Sequence, residues 1–147
     1  STVNVRIKAV HAQNFNRPFE ASVEATNRIN GSKTVDDIPL AGGLFTLEVG
    51  GRYNFVATPR NTNFQNGRRI NVPIRDNTRL IRVLIAPMGE ECRVWFENIK
   101  SLIAKGEHQK ATREIRLAKR AYGGLIDPPK ETADIFESIL KLGKDLP

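Results

Sequence analysis

Cysteine is nearly absent, with Cys92 the only one in 147 residues. The chain can therefore form no internal disulfide and no multi-cysteine metal site. Histidine is almost as scarce. His11 and His108 stand alone, and no His-x-x-x-His or Glu-x-x-His spacing occurs, which removes the common metal-ligand patterns. There is no Gly-x-Ser-x-Gly elbow and no phosphate-binding glycine loop. Acidic pairs such as Glu90-Glu91 suit a helix N-terminus better than acid–base chemistry. Long apolar runs are missing too: the longest, residues 80–87, is broken by Arg82, far short of the ~18–20 residues that span a bilayer. Residues 3–8 alternate in polarity rather than forming the apolar stretch of a secretory signal, and a start at Ser1-Thr2 is that expected of a processed or trimmed product. These absences predict a non-enzymatic chain with no cofactor and no metal.

What is present is ordinary in bulk and uneven in placement. Hydrophobic residues at 39% and charged residues at 27% describe a folding chain rather than a disordered one. The net charge of +7 is carried mostly by the first part. Residues 1–88 hold twelve Lys and Arg against six Asp and Glu, whereas residues 89–147 hold eleven against ten. In the first part only Lys8 and Lys33 are lysines. Arginine offers a planar fork that matches carboxylates and phosphates, so a polyanionic partner is one reading and a soluble surface the other.

The rhythm of the chain changes at Pro87-Met88-Gly89. Before it, apolar residues recur every second position, and after it every third or fourth. Val3, Val5, Ile7 and Ala9 alternate with polar neighbours, as do Phe19, Ala21, Val23 and Ala25, then Phe45, Leu47 and Val49, then Tyr53, Phe55 and Ala57. Asn30-Gly31 and Gly50-Gly51 are turn signals. Ile70, Val72 and Ile74 predict a short strand at a sheet edge, because Pro73 cannot donate to a ladder. Residues 80–85 are the most continuously apolar and predict a central strand. The expectation is six or seven strands in a sandwich of antiparallel sheets over residues 1–87.

Beyond Gly89, Cys92, Trp95, Phe96, Ile99, Leu102 and Ile103 mark one face of a first helix, ending near Lys105-Gly106. Ala111, Ile115, Ala118 and Tyr122 mark a second, ended by Gly123-Gly124. Asp127 reads as the cap of a third helix carrying Ile135, Phe136, Ile139, Leu140 and Leu142 and stopped by Gly143. Cys92 and Trp95 fall on the apolar face and read as core. The fold class is thus α+β, an N-terminal antiparallel β-sandwich followed by a bundle of about three short helices over residues 89–147.

Two resemblances follow from these segments. The stretch from Gly43 to Ala57, Gly-Leu-Phe-Thr-Leu-Glu-Val-Gly-Gly-Arg-Tyr-Asn-Phe-Val-Ala, resembles the core segment of carboxypeptidase regulatory-like (transthyretin-like) sandwiches. Pro39-Leu40-Ala41-Gly42 is similar to that family's preceding loop, and residues 79–84 to its closing strand. Trp95, Leu102, Gly106, His108, Ala111, Ile115 and Ala118 resemble a single tetratricopeptide repeat, and one repeat alone cannot build the groove that stacked arrays use. The first resemblance implies a non-catalytic accessory domain, usually extracytoplasmic. The function it implies is an interaction or assembly module with protein partners in a bacterial cell-envelope complex, periplasmic or at the cell surface. The single cysteine leaves a cytoplasmic setting open.

The alternative reading is a binder of nucleic acid or acidic polysaccharide. It rests on the polar loop of residues 58–69, in which Phe64 is flanked by Arg60, Arg68 and Arg69. Phe64 could stack on a sugar or base while the guanidinium groups hold an anion, or it could fold back onto the sandwich. The two readings part on one point: arginines converging on one surface favour the polyanion, and dispersed arginines favour assembly.

Overall fold

A computed structural model describes residues 1–123, Leu125 and residues 128–147. Gly124 and Asp127, expected to end the second helix and cap the third, lie outside the described residues. Eight strands precede three helices: β1 (Thr2–His11), β2 (Asn14–Phe19), β3 (Ala21–Asn27), β4 (Lys33–Ile38), β5 (Gly43–Glu48), β6 (Arg52–Pro59), β7 (Gly67–Pro73), β8 (Leu80–Ile85), α1 (Glu90–Ala104), α2 (His108–Tyr122) and α3 (Lys130–Lys144). The α+β layout is the expected one, and the strands form two four-stranded sheets. No helix is long and apolar enough to cross a membrane among the described residues.

In the first sheet β1 is the axis. Its first half pairs antiparallel with β5 and its second half with β2, while β8 runs parallel along its other side. That parallel pair is the one exception to the expected antiparallel pattern. The second sheet has the order β4-β3-β6-β7, antiparallel throughout. Alternation works as expected on β3, where Ala21, Val23 and Ala25 point inward to meet Val5, Ile7, Phe45, Leu47 and Phe55 in the sandwich core.

The strand count exceeds expectation for physical reasons. The segment around Phe19 is two strands, because the chain passes from one sheet to the other at Glu20. Strand β4 was hidden because it is an edge strand of which only Ile38 is buried, so no alternation marks it. Gly50, at φ +85°, does reverse the chain, but it carries β5 of one sheet into β6 of the other rather than closing a hairpin. Pro73 stands on an edge strand, as expected.

Strand β8 corrects the sequence reading. It pairs with β1 alone and is an edge strand, not a central one. Its apolar run reflects burial on two faces instead of two flanking strands. Ile81, Val83 and Ile85 enter the sandwich core, while Leu84 and Ala86 join a second core with Val10, Ala12, Trp95, Ile99, Ala118, Tyr122 and Ile139. The helices therefore form a third layer on the outer face of β1 and β8. Trp95 and Cys92 are fully buried there, and desolvation pushes the Cys92 thiol up into its inert range. Gly143 does not stop α3. It lies inside the helix, where a Cβ would stand 3.3 Å from Ile115 Cγ2, and its lack of a side chain lets α3 approach α2.

Candidate functional site

Strand β7 closes one edge of the second sheet and β8 one edge of the first, and the two edges meet at a corner of the sandwich. Register explains how. Gly67 pairs with Ala57 and Arg69 with Phe55, and both partners are fully buried, so Gly67 and Arg69 lie on the inner face of β7. At Gly67 a Cβ would stand 2.1 Å from Leu84 O, so only glycine lets β7 come this close to β8. Arg69, two residues on, spans the same gap and donates from Nη1 to Arg82 O at 3.2 Å. A carbonyl on the open edge of β8 thus finds a donor. An inward-pointing charge is also a known way to keep an edge strand from pairing with another chain. Beyond Ile70, Asn71 has φ +56° and donates its backbone N–H to Asn54 Oδ1 at 2.9 Å, at a bulge that interrupts the ladder before pairing resumes at Val72.

The last turn of α2 lies over this corner. Tyr122 Oη donates to Pro87 O at 2.7 Å, a buried bond that fastens the end of α2 to the end of β8. The result is a cavity of about 330 Å³ lined by Arg68, Arg69, Ile70, Arg82, Leu84, Lys119, Arg120 and Gly123. Five of these residues are cationic and none is acidic, among the described residues. Within the same bounds, no carboxylate partners Arg69, Arg82, Lys119 or Arg120. The crowding is felt at its centre: burial, then the charges of Arg120 and Arg82, hold the Arg69 guanidinium below the ordinary arginine value. An arginine remains protonated under such a load, so the corner is a fixed concentration of positive charge in a partly desolvated hollow. It can attract and fork onto anionic oxygens.

The residues singled out from sequence divide three ways. Arg68 and Arg69 line the cleft. Arg60 does not; its Nη1 lies 3.3 Å from Glu20 Oε2 in an exposed ion pair. Phe64 is not an exposed stacking ring but is 6% exposed, folded back onto the sandwich. Its backbone bridges to Pro87, and Gln65 N donates to Ala86 O at 3.1 Å, which pins the loop to the end of β8. The ring packs edge-on to Phe19 at 4.7 Å and to His11 at 5.8 Å, with the Arg17 guanidinium carbon 4.9 Å from its centroid. An isolated phenylalanine in a polar loop gains more by covering apolar surface than by facing water, and here core was within reach.

Three cleft residues were not singled out: Arg82, Lys119 and Arg120. Arg82 was visible as the lone charge in an apolar run. On α2, Arg113, Arg116, Lys119 and Arg120 recur at helical spacing, a one-sided basic pattern that was legible. No family model matches the chain, and no curated protein matches it in sequence.

Proposed function

We propose that this chain is a non-enzymatic binding module that holds a polyanion in the cleft between β7, β8 and α2. The observation that carries the reading is convergence. Arginines from two different sheets and cations from a helix meet in one hollow, where burial first and the charges of Arg120 and Arg82 second lower the affinity of Arg69 for its proton. A cluster of this kind carries a repulsion that an anionic ligand relieves. The likeness of residues 3–86 to carboxypeptidase regulatory-like sandwiches, and of the α1–α2 pair to a tetratricopeptide hairpin, fits a scaffold that presents a binding surface.

The test is a titration with a fluorescent heparin fragment, followed by anisotropy as salt is raised. Contacts to anionic groups release counterions, so affinity must fall steeply with salt. Replacing Arg82 and Arg120 together with alanine is expected to weaken binding at least tenfold, whereas Arg28→Ala, which removes a charge elsewhere, leaves it unchanged. Binding indifferent to salt, or retained in the double variant, refutes the proposal. If the chain instead co-purified with protein partners and ignored every polyanion, the role would pass to the assembly module of a cell-envelope complex.

A further inference from the structure

The basic surface does not stop at the corner. A second cavity of about 190 Å³ shares Lys119 with the first and adds Arg116, and a third of about 330 Å³ shares Arg116 and adds Arg113 and His108. No acidic side chain lines either one among the described residues. Arg113, Arg116 and Lys119 recur at i, i+3 and i+6 on α2, so the cations advance along the helix in steps of about 4.5 Å. That pitch is close to the spacing of charges along one nucleic-acid strand, about 3.4 Å when stacked and longer when extended.

An exposed aromatic ring stands at the other end of this track. Phe15 on β2 is 39% exposed, and the Arg82 guanidinium carbon lies 5.5 Å from its ring centroid. Arg82 thus joins the cleft to a flat apolar platform. Charge alone would serve an acidic polysaccharide or a membrane, but an exposed ring beside these cations adds a surface on which a base can stack. Arg113, Arg116, Lys119 and Arg120 are exposed on α2 but wall the hollows that this helix forms with β7, β8 and the end of α3, so they track a thin, flexible strand better than a duplex, whose grooves accept projecting helices or ribbons.

We infer that the polyanion is a single-stranded nucleic acid, its phosphates running along α2 from Arg113 to the Arg69–Arg82 corner and a base resting on Phe15. This inference rests on the polyanion reading above and narrows it.

The experiment compares three labelled probes on the full chain by anisotropy between about 50 and 200 mM salt: an oligothymidylate about twelve nucleotides long, a duplex of equal length, and a heparin fragment. The oligothymidylate is expected to bind tightest, with a log–log salt slope of about −3, as four to five phosphate contacts require. Phe15→Ala should weaken it about tenfold, the scale of one base–aromatic stack, while changing heparin binding less than twofold. Removing Arg113 and Arg116 together should make the slope about 1.4 shallower. Tighter binding of the duplex, or a Phe15→Ala effect that is nil or equal on both ligands, overturns the single-strand inference. Salt-dependent heparin binding would in that case preserve the polyanion reading, and absence of binding to all three removes both.

Discussion

Gly67→Ala should be among the most damaging small substitutions in this protein. The added Cβ would meet Leu84 O at 2.1 Å, Leu84 C at 3.0 Å and Val83 Cγ1 at 3.2 Å. Ordinary contact begins near 3.4 Å, so β7 and β8 must part by more than 1 Å. The obstacle is a backbone carbonyl, and no rotamer change removes it. Overpacking of a core costs about 1–3 kcal/mol, and rigid backbone on both sides puts this case at the upper end. For a chain of this size 3 kcal/mol corresponds to a Tm lower by about 6–12 °C. Thermal and urea melts measure it directly. Gly31→Ala is the reference, because nothing lies within 4 Å of that Cβ and only the positive φ of +75° is penalised, at about 1–2 kcal/mol. The damage reaches the cleft as well, since Arg69 and Arg82 face each other across the same gap, so heparin affinity should fall in Gly67→Ala and hold in Gly31→Ala. Trimming Val83 to alanine should not rescue the variant. A Gly67→Ala protein melting within a degree of the parent would refute the close approach of the two edges.

Other outcomes follow from the same geometry. Phe64→Ala should cost about 3–5 kcal/mol in urea melts while leaving polyanion affinity intact, because the ring packs on Phe19 and His11 and not in the cleft. Arg120→Gln should raise Tm slightly, by about 1 °C or less, and weaken polyanion binding, since the side chain has like-charged neighbours and no carboxylate partner among the described residues. His11 makes the fold sensitive to acid. Burial first and Arg17 second lower its pKa below 6.5 against the opposing pull of Glu91, and its Nδ1 accepts the Gln13 N–H at 3.0 Å, so the neutral ring is the form the fold holds. The unfolded chain takes up a proton first, and this contribution is therefore full above pH 6.5 and lost as pH falls toward the folded value. Urea melts across that range should show a declining stability that His11→Asn flattens, whatever its overall cost.

Much of the architecture was legible residue by residue. The period-two stretches became β1, β3, β5 and β6, the periodic apolar faces became α1, α2 and α3, and the division at Met88 separates the last strand from the first helix. The strands that composition does not mark are β2 and β4, polar edge strands with a single buried residue each, Phe19 and Ile38. Nothing in their composition distinguishes them from loops, and pairing with a neighbour is what makes them strands. The loop around Phe64 is distinctive in sequence, yet its ring turns inward while Arg60 lies on one surface and Arg68 and Arg69 on another.

Period and turn chemistry are local properties, and so the chain by itself determined that sheet comes first and helix second, where most elements lie, and that arginine dominates the basic charge of the first part. Which edge strands meet is not local. Only the tertiary structure brought β7 against β8, laid the end of α2 across them through the Tyr122–Pro87 bond, and thereby turned cations at positions 68, 69, 82, 119 and 120 into one cleft. Residues so far apart in the chain share a surface only after the two sheets and the helical layer have packed, because the burial that joins those layers depends on all three at once.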